Sequence, residues 1–573
     1  EIKINDIISL VRSFKNSTEL FLLNEFIKSG FLTTDIKLNF DNTGRIKDDY
    51  QINGFIKKGE LKFLNQFNFK NLNFDFNINK NQYSLTKIKT DFNDIKISSK
   101  LIQLYERKNH FLVKGNIATK EKDFETEQLK ILFSNFLKNL DIKKIRFSSV
   151  NDFSFNITKK LRINDFNIES EVFLKQLNIK KDLLILKSYF PVFNETIKFK
   201  NHKIKIRYNK DKLDIKGQGE ASIDEKYDFL NYKILKNNDQ YFFDTKINLK
   251  NIKLLINFLG FEKEEGVESS ILIKGILKKN NEIKFDLISF KEKNNKISVG
   301  NLNLNKYFKI ISLNNLDVNY LNNKKIRNEF ILKKVKSNYI ITGKNFDATK
   351  LINKIVDGED KNSSIFDNFN SSINIKINKT YIDEINFIND LSGILIFKNN
   401  KATDVKLNSF FPNKKRINLL ISTNKKKEET IRFTTEYPKP LIKRYDFIKG
   451  FEGAYLNYYS VKKNGISDSL LVIDNFKIKE VSVLAKLLSL ASLQGIADLL
   501  TGEGIRFSNF EMKFSKQKNL TTIEEIYAIG PAISIMLNGY IDSKKLISLR
   551  GTLVPATTIN KSIASIPLIG KIL

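Results

Sequence analysis

Apolar and polar residues alternate with a period of two along most of the chain. In the segment "LNFDFNINK", the residues Leu72, Phe74, Phe76 and Ile78 fall on one side, and Asn and Asp residues fall on the other. Successive side chains of a β-strand point to opposite faces, so the pattern predicts a strand with one apolar face. The same alternation recurs in "IKLNF" from Ile36, "LRINDFNI" from Leu161, "IKIRY" from Ile204, "TKINLK" from Thr245, "INIKIN" from Ile373 and "RINLLIS" from Arg416.

Turn residues separate these predicted strands. Examples are "DNTG" at 41–44 and "KKNNE" at 278–282, which are typical of antiparallel meanders. The chain has only 7 Pro, and no Pro- or Gly-rich linker divides the alternating region. We therefore predict a mainly β fold, a long twisted and curled antiparallel sheet that forms an elongated apolar groove, with a few short capping helices. A filled sandwich would show the same alternation and remains the alternative.

Several short segments have helical signals. The segment "STELFLLNEFIKSG" has Ser17 or Thr18 as its N-cap and Gly30 at its C-terminal end. Residues 127–140 form a second candidate. A third begins at Asp347 as N-cap, and its apolar stripe consists of Leu351, Ile352 and Ile355. Residues 246–266 and 474–490 also run from a strand into an apolar, helix-like segment, so each of these helices is predicted to cap or cover the sheet.

The segment Val481–Leu500 is long enough to span a bilayer as a helix. However, it contains Lys486, Gln494 and Asp498, and a charge at the centre of a span costs a few kcal/mol. We therefore predict an end-cap helix on the apolar face of the sheet, which either only covers that face or closes one end of a cavity. Its apolar side is formed by Leu484, Leu487, Leu488, Ala491 and Leu499.

The chain is strongly basic, with 97 Lys and Arg against 64 Asp and Glu. These charges are spread along the sequence, and the run Lys425–Lys427 is followed at once by two glutamates. The chain is also rich in Lys, Asn, Ile and Phe, a bias that AT-rich codons produce regardless of function. The charge therefore indicates a solvated surface, and no nucleic-acid partner is predicted. The absence of Cys excludes disulfides, thiolate nucleophiles and cysteine-ligated metal sites.

Sequence motifs for catalysis are weak. His110 and His202 lie beside alternating strands without neighbouring metal-ligand patterns, which favours ordinary surface or sheet histidines. The glycines of "TGEGIRF" (501–507) follow a helical segment and lack the Lys-Ser/Thr of a phosphate-binding loop. We predict no catalytic residue, no metal site, no cofactor and no enzymatic activity.

Motifs in the last 130 residues resemble the C-terminal domain of AsmA-like bacterial envelope proteins, the group that includes AsmA, TamB and YhdP. The resemblance is carried by the apolar segment that ends in "LLTGEGIRF", by "GPAISIMLNGYID", by "LISLRGTLVPA" and by the closing "IPLIGKIL". The preceding strand-rich region is similar to the middle region of those proteins in style alone. The resemblance divides the chain into an N-terminal helical segment at 1–30, a repetitive β-groove at 31–440, and an AsmA-like C-terminal domain at 441–573.

The resemblance implies a bridge-like lipid-transfer protein that carries phospholipid through a hydrophobic groove across the periplasm, between the inner and outer membranes. It also implies an inner-membrane anchor helix upstream of this chain and further strands beyond Leu573. The expected groove lining consists of Leu72, Phe74, Phe76, Ile78, Ile373, Ile375 and Ile377. A structural or assembly scaffold of the cell envelope, without lipid conduction, is the alternative function.

Overall fold

The protein is described here from a computed structural model. The described residues are 1–14, 24–45, 47, 49–63, 67–80, 82–126, 128–129, 141–158, 160, 162–180, 184–193, 195–350, 366–442, 450–480, 501–502, 504–544 and 546–555.

The fold is mainly β, as predicted: strands make up 72% of the structure, and 30 of them belong to one curled, mostly antiparallel sheet that is not closed into a barrel. The chain divides into two compact units. Unit 1 consists of Glu1–Lys296 with Gly300–Lys306, and unit 2 consists of Ile297–Val299 with Tyr307–Leu573.

Unit 1 contains the first seventeen strands and most of the eighteenth. They are β1 (Ile2–Lys3), β2 (Ile27–Lys37), β3 (Gln51–Phe63), β4 (Phe67–Asn79), β5 (Gln82–Phe92), β6 (Ile95–Glu106), β7 (His110–Asp123), β8 (Asp141–Thr158), β9 (Ile163–Lys180), β10 (Thr196–Asn209), β11 (Lys212–Ser222), β12 (Asp228–Asn237), β13 (Gln240–Leu249), β14 (Leu254–Ile256), β15 (Phe261–Lys263), β16 (Ser269–Leu277), β17 (Ile283–Glu292) and β18 (Asn295–Leu304). Its helices are α1 (Ile4–Phe14), α2 (Leu184–Lys187) and a 3₁₀ turn at Asn257–Leu259.

Unit 2 contains the remaining strands and the short helix α3 (Lys439–Ile442). The strands are β19 (Ile310–Leu321), β20 (Arg327–Val335), β21 (Asn338–Asp347), β22 (Ser371–Tyr381), β23 (Phe387–Lys398), β24 (Lys401–Phe410), β25 (Arg416–Thr423), β26 (Glu429–Thr435), β27 (Phe451–Lys463), β28 (Ile466–Ile478), β29 (Ile505–Gln517), β30 (Leu520–Ile529), β31 (Ile533–Ile541) and β32 (Ile547–Pro555).

Strand pairing follows the order of the chain. In unit 1, each strand from β2 to β13 pairs with the next, and β13 then pairs with β16, because β14 and β15 form a separate two-stranded hairpin. In unit 2, each strand from β19 to β32 pairs with the next. The pairs are antiparallel, except that β21 and β22 run in parallel. This exception requires a long connection between the two strands, at 348–370.

Two-residue turns join many of the antiparallel strands. Both central residues have positive φ at Asn93–Asp94, Lys210–Asp211, Asn399–Asn400 and Asn464–Gly465. This is the type I′ geometry, whose twist matches that of the flanking strands. The predicted turn at 41–44 is also formed, because Asp41 Oδ1 accepts the backbone N–H of Thr43 at 2.8 Å and that of Arg45 at 2.9 Å.

The described helices differ from the predicted ones. Strand β2 begins at Ile27 and includes Gly30, so the C-terminal end of the first predicted helix is a strand. Residues 246–266 form β13, the β14–β15 hairpin and the 3₁₀ turn, so the prediction of a helix-like segment there was wrong. A run of apolar residues this short fits a buried strand as well as a helix.

Other predicted helices fall partly or wholly outside the described residues. Asp347 does act as a cap, since its Oδ1 accepts the backbone N–H of Thr349 at 3.0 Å. Most of 127–140 and all of 481–500 lie outside the described residues, as do Leu351, Ile352 and Ile355. The end-cap residues Leu484, Leu487, Leu488, Ala491 and Leu499 are therefore also outside them.

Candidate functional site

The predicted lining residues of β4 lie on one face of the sheet. Phe76 is directly opposite Gly54 of β3 and Leu85 of β5, while Ile78 is opposite Ile52 of β3. Residues opposite each other on paired strands share a face, so β3, β4 and β5 present these residues to the same side. We define the apolar face of each unit separately: in unit 1 it is this side, which bears Phe76, and in unit 2 it is the side that bears Ile375. The opposite side, which bears Lys205 in unit 1 and Lys406 in unit 2, is called the charged face.

A bulge in β4 keeps the apolar residues on this face. Asn71 has a φ of 52° and lies where the register with β5 shifts, between Lys70 and Asn73. An extra residue in one strand reverses the alternation once. Phe69 and Leu72 are consequently both on the apolar face, although they are three positions apart.

In unit 1, the apolar face continues across nine strands. A row of directly paired residues runs from β3 to β11 and consists of Gly54, Phe76, Leu85, Ile102, Gly115, Phe153, Ile168, Tyr208 and Leu213. Leu213 is buried, and the other members are partly exposed. The row is therefore a surface that solvent reaches over most of its length.

In unit 2, an apolar row crosses all fourteen strands from β19 to β32. Its members are Leu316, Leu332, Ile341, Ile375, Gly393, Leu407, Leu419, Phe433, Tyr458, Leu471, Met512, Ile526, Leu537 and Gly551. The predicted lining residues Ile373 and Ile377 lie beside Ile375 on the same face of β22. Thirteen steps of about 4.8 Å between neighbouring strands give the row a path of roughly 60 Å.

Exposure distinguishes this row from a filled core. Ile526 is buried at 8% exposure and Gly551 is exposed, whereas the other twelve members are partly exposed. Apolar residues packed between two sheets would be mostly buried, because side chains from both layers interdigitate. Over most of the row in unit 2, the described residues thus form an accessible apolar surface, whereas Ile377 and Val405, two positions along on the same face, are buried at 4% and 5% exposure.

Several aromatic rings lie close to glycines of the neighbouring strand. A Cβ built on Gly54 would be 2.6 Å from Cζ of Phe76, and one built on Gly217 would be 2.3 Å from Cζ of Tyr232. These rings occupy the space that a side chain at the glycine would fill. The layer of side chains on the apolar face is thin at these positions.

His202 lies in the middle of the apolar face of unit 1 and is only 1% exposed. Its Nε2 is 2.9 Å from the carbonyl oxygen of Glu220, and its Nδ1 is 3.4 Å from the hydroxyl of Tyr232. A carbonyl oxygen only accepts, so Nε2–H is the donor and Nδ1 accepts from Tyr232. Burial lowers the pKa of His202 and raises the pKa of Tyr232 to about 12. His202 is therefore a neutral, buried sheet histidine, one of the two roles that the sequence left open.

The β14–β15 hairpin covers the apolar face locally. The ring of Phe261, which is 2% exposed, packs edge-on against Phe290 of β17, with 5.1 Å between the ring centroids. The buried ammonium group of Lys263 donates hydrogen bonds to the carbonyl oxygens of Lys250 at 2.7 Å and Ile252 at 2.8 Å. Burial lowers the pKa of Lys263. The hairpin is thus held by a buried cation as well as by apolar contacts.

One end of strands β27–β31 has a filled core. The rings of Phe451, Phe476 and Phe507 stack in sequence, with centroid distances of 5.4 and 5.1 Å, and Ile505 and Ile533 are almost fully buried. Strand β28 ends and β29 begins at this end. The predicted end-cap segment lies between these two strands in the sequence and is outside the described residues.

The described residues contain no group of three or more His, Asp or Glu side chains placed to hold a metal ion. Nor do they contain a helix with the length and apolar character needed to cross a membrane. The predictions of no catalytic residue and no cofactor remain predictions.

Sequence reasoning identified single strands of the apolar face but not its full extent. Leu407, Leu419 and Phe433 belong to the same row as Ile375, and the alternation in "KLNSF", "RINLLIS" and "TIRFT" was the signal for them. Nothing in the local sequence marked Lys263, because its burial depends on the hairpin.

Comparisons with family models, curated proteins and solved structures find no match to this chain. The resemblance to AsmA-like proteins therefore rests on the residues quoted above.

Proposed function

We propose that this protein is a bridge-like lipid-transfer protein that carries phospholipid along its apolar face. The observation that carries this proposal is the row of fourteen paired, mostly partly exposed apolar residues in unit 2. Such a surface is costly in water unless a ligand covers it, and contiguous exposed apolar area is a mark of a binding site.

Acyl chains fit the chemistry of this surface. Burying each methylene group contributes about 0.8 kcal/mol, and the row offers Leu, Ile, Phe and Met side chains without a charged neighbour in the same row. Because the sheet is curled but not closed, a lipid can contact the apolar face with its chains while its head group stays in water. No reactive side chain is needed for this task.

The compartment and partners follow from the AsmA-like resemblance. On that basis, the protein acts in the periplasm, is attached to the inner membrane by a helix upstream of this chain, and exchanges phospholipid with the inner and outer membranes. The segment 441–573 would correspond to the AsmA-like C-terminal domain, with 1–30 and 31–440 as the helical segment and the groove.

A scaffold that conducts no lipid is the second candidate. The filled core around Phe476 and the cluster of Ile382, Ile388 and Phe411 favour it, because side chains there pack against each other and leave no room for a ligand. This packing is local, whereas the accessible row continues through β19–β26.

The deciding experiment combines mass spectrometry of co-purified lipid with photo-crosslinking. Photo-reactive residues at Phe74, Phe76 and Ile375 should crosslink to phospholipid, while residues at Asn77 and Asn374, their neighbours on the charged face, should not. Absence of both bound lipid and crosslinks at Phe74, Phe76 and Ile375 in a folded sample would overturn lipid carriage and leave the scaffold.

A further inference from the structure

A basin of about 960 Å³ lies on the charged face of unit 1, across β7–β13. The alternation of the strands places it on the side of the sheet opposite the apolar face. Lys203 and Lys205 line it and flank Ile204, whose side chain is on the apolar face. A ligand in this basin would not touch the surface to which we assign lipid carriage.

Five residues cross the basin in one directly paired row. From β9 to β13 the row consists of Glu171, Lys205, Lys216, Lys233 and Asp244. Three lysines are thus neighbours on adjacent strands, with an acidic residue at each end. Like charges directly opposite each other destabilise a sheet, so folding alone does not favour this arrangement.

Both acidic residues are already neutralised. Glu171 pairs with Lys205 at 2.9 Å, which lowers the pKa of Glu171, and Asp244 pairs with Lys274 of β16 at 2.9 Å. Within the described part of the chain, Lys216 and Lys233 form no ion pair. Lys203 and Lys246 lie one row away and also line the basin. The basin therefore has an excess of positive charge at its centre.

The size of the positive centre limits what can bind. Three lysines on adjacent strands span about 10 Å, and at each end of the row the next charges, Glu171 and Asp244, are ion-paired carboxylates, so the excess of positive charge does not extend further. This pattern suits one or two phosphate groups, which lysines bind as point charges, and disfavours an extended polyanion. At the Glu171 end of the row the basin is lined by Val150 and Phe173, which are apolar, and also by Thr119, Ser148 and Ser149.

We propose that this basin binds a compact phosphate compound whose phosphate contacts Lys216 and Lys233; an amphiphile would in addition place its apolar part against Val150 and Phe173. The shared chemistry is a phosphate dianion, which an amphiphile or a small soluble diphosphate can supply. Binding at this site is independent of lipid carriage on the apolar face.

The test is calorimetric titration of the whole chain with three probes at low salt. Monomeric dihexanoyl phosphatidic acid and inorganic pyrophosphate carry a phosphate that can hold two negative charges, whereas the phosphodiester of dihexanoyl phosphatidylcholine holds one, which its choline group offsets. We expect both phosphate probes to bind and phosphatidylcholine to bind at least about tenfold more weakly than phosphatidic acid. Tighter binding of phosphatidic acid than of pyrophosphate indicates an amphiphile as the source, and equal binding indicates a soluble phosphate.

A matched pair of variants locates the site. K216Q/K233Q should weaken binding of both phosphate probes by at least about tenfold, whereas K96Q/K114Q removes the same charge from the same face outside the basin and should leave binding unchanged. Thermal melting of both variants checks that they are folded. The proposal is overturned if neither phosphate probe binds the unaltered protein, or if the two variants lose affinity equally. Lipid crosslinking at Phe76 and Ile375 tests carriage on the apolar face and does not depend on the outcome of these titrations.

Discussion

The ring of Tyr232 lies directly over Gly217, so that a side chain at residue 217 would meet Cζ, Oη and Cε2 of the ring within 2.7 Å. Gly217 is not in a positive-φ conformation. The need for glycine at this position therefore comes from the ring and does not come from the backbone. Rings also lie close to Gly54 and Gly275, but there a backbone carbonyl oxygen, of Thr33 or Lys284, would be closer to an added Cβ, at 2.2 Å.

The replacement Gly217→Ala should destabilise unit 1 by about 1–3 kcal/mol, because the new methyl group and the Tyr232 ring cannot both be accommodated. When the ring is also removed, in G217A/Y232A, the additional loss of unfolding free energy caused by Gly217→Ala should largely disappear. Chemical denaturation of the four members of this double-mutant cycle measures the coupling. A coupling energy near zero would show that the ring does not restrict residue 217.

His202 should make stability depend on pH. Burial lowers its pKa in the folded state, so its neutral form stabilises the protein above the unfolded value of about 6.5. This contribution is lost as the pH falls through the folded pKa, because the unfolded chain then binds the proton more readily. Between about pH 7.5 and about pH 5, the melting temperature should decrease less for H202Q than for the unaltered protein. An equal decrease in both proteins would contradict this assignment, whatever the cost of H202Q at neutral pH.

Lys263→Met should loosen the β14–β15 hairpin. The replacement keeps much of the aliphatic stem but leaves the carbonyl groups of Lys250 and Ile252 without their donor, at a cost of about 1–3 kcal/mol. Hydrogen exchange followed by mass spectrometry should show faster exchange at 254–263 and little change in β3–β8. Lys279→Met, on an exposed turn, is the control. Unchanged exchange in the hairpin would mean that apolar contacts such as Phe261 with Phe290 are sufficient.

A charge in the apolar row should displace lipid. Ile375→Lys places an ammonium group among apolar neighbours, whereas Asn374→Lys adds the same charge to the charged face one residue away. We expect co-purified lipid to decrease on the order of tenfold for I375K, the equivalent of about 1.4 kcal/mol, and to stay constant for N374K. Circular dichroism verifies that both variants keep their β content. Similar lipid content in both variants would remove unit 2 from the proposed path.

The architecture was predictable because its main signal is local. Alternation in β4 identifies the face of Phe74 and Phe76, and Asn or Gly at the turns identifies hairpins such as that at Asn464–Gly465. Sequence order then supplies the pairing, since each strand is followed by its neighbour. The mainly β prediction and the antiparallel meander are confirmed on this basis.

The features that could not be predicted depend on distant contacts. The apolar run around Leu254 and Phe261 has no periodicity that distinguishes a hairpin from a helix. The hairpin is stabilised by packing of Phe261 on Phe290 and by the hydrogen bonds of Lys263. The parallel pair of β21 and β22 depends on a long connection whose path no local pattern specifies. The basin around Lys216 requires the register of several strands, which sequence alternation alone does not give.

Pairing of each strand with its neighbour in the chain also has a kinetic consequence. Contacts between neighbouring strands close short loops, and sheets of low contact order fold faster than those that join distant segments. A sheet of this kind can grow by one hairpin at a time as the ribosome releases the chain, without waiting for the C terminus. Evolution can lengthen it in the same way, by duplicating a hairpin within the meander without rearranging the strands on either side.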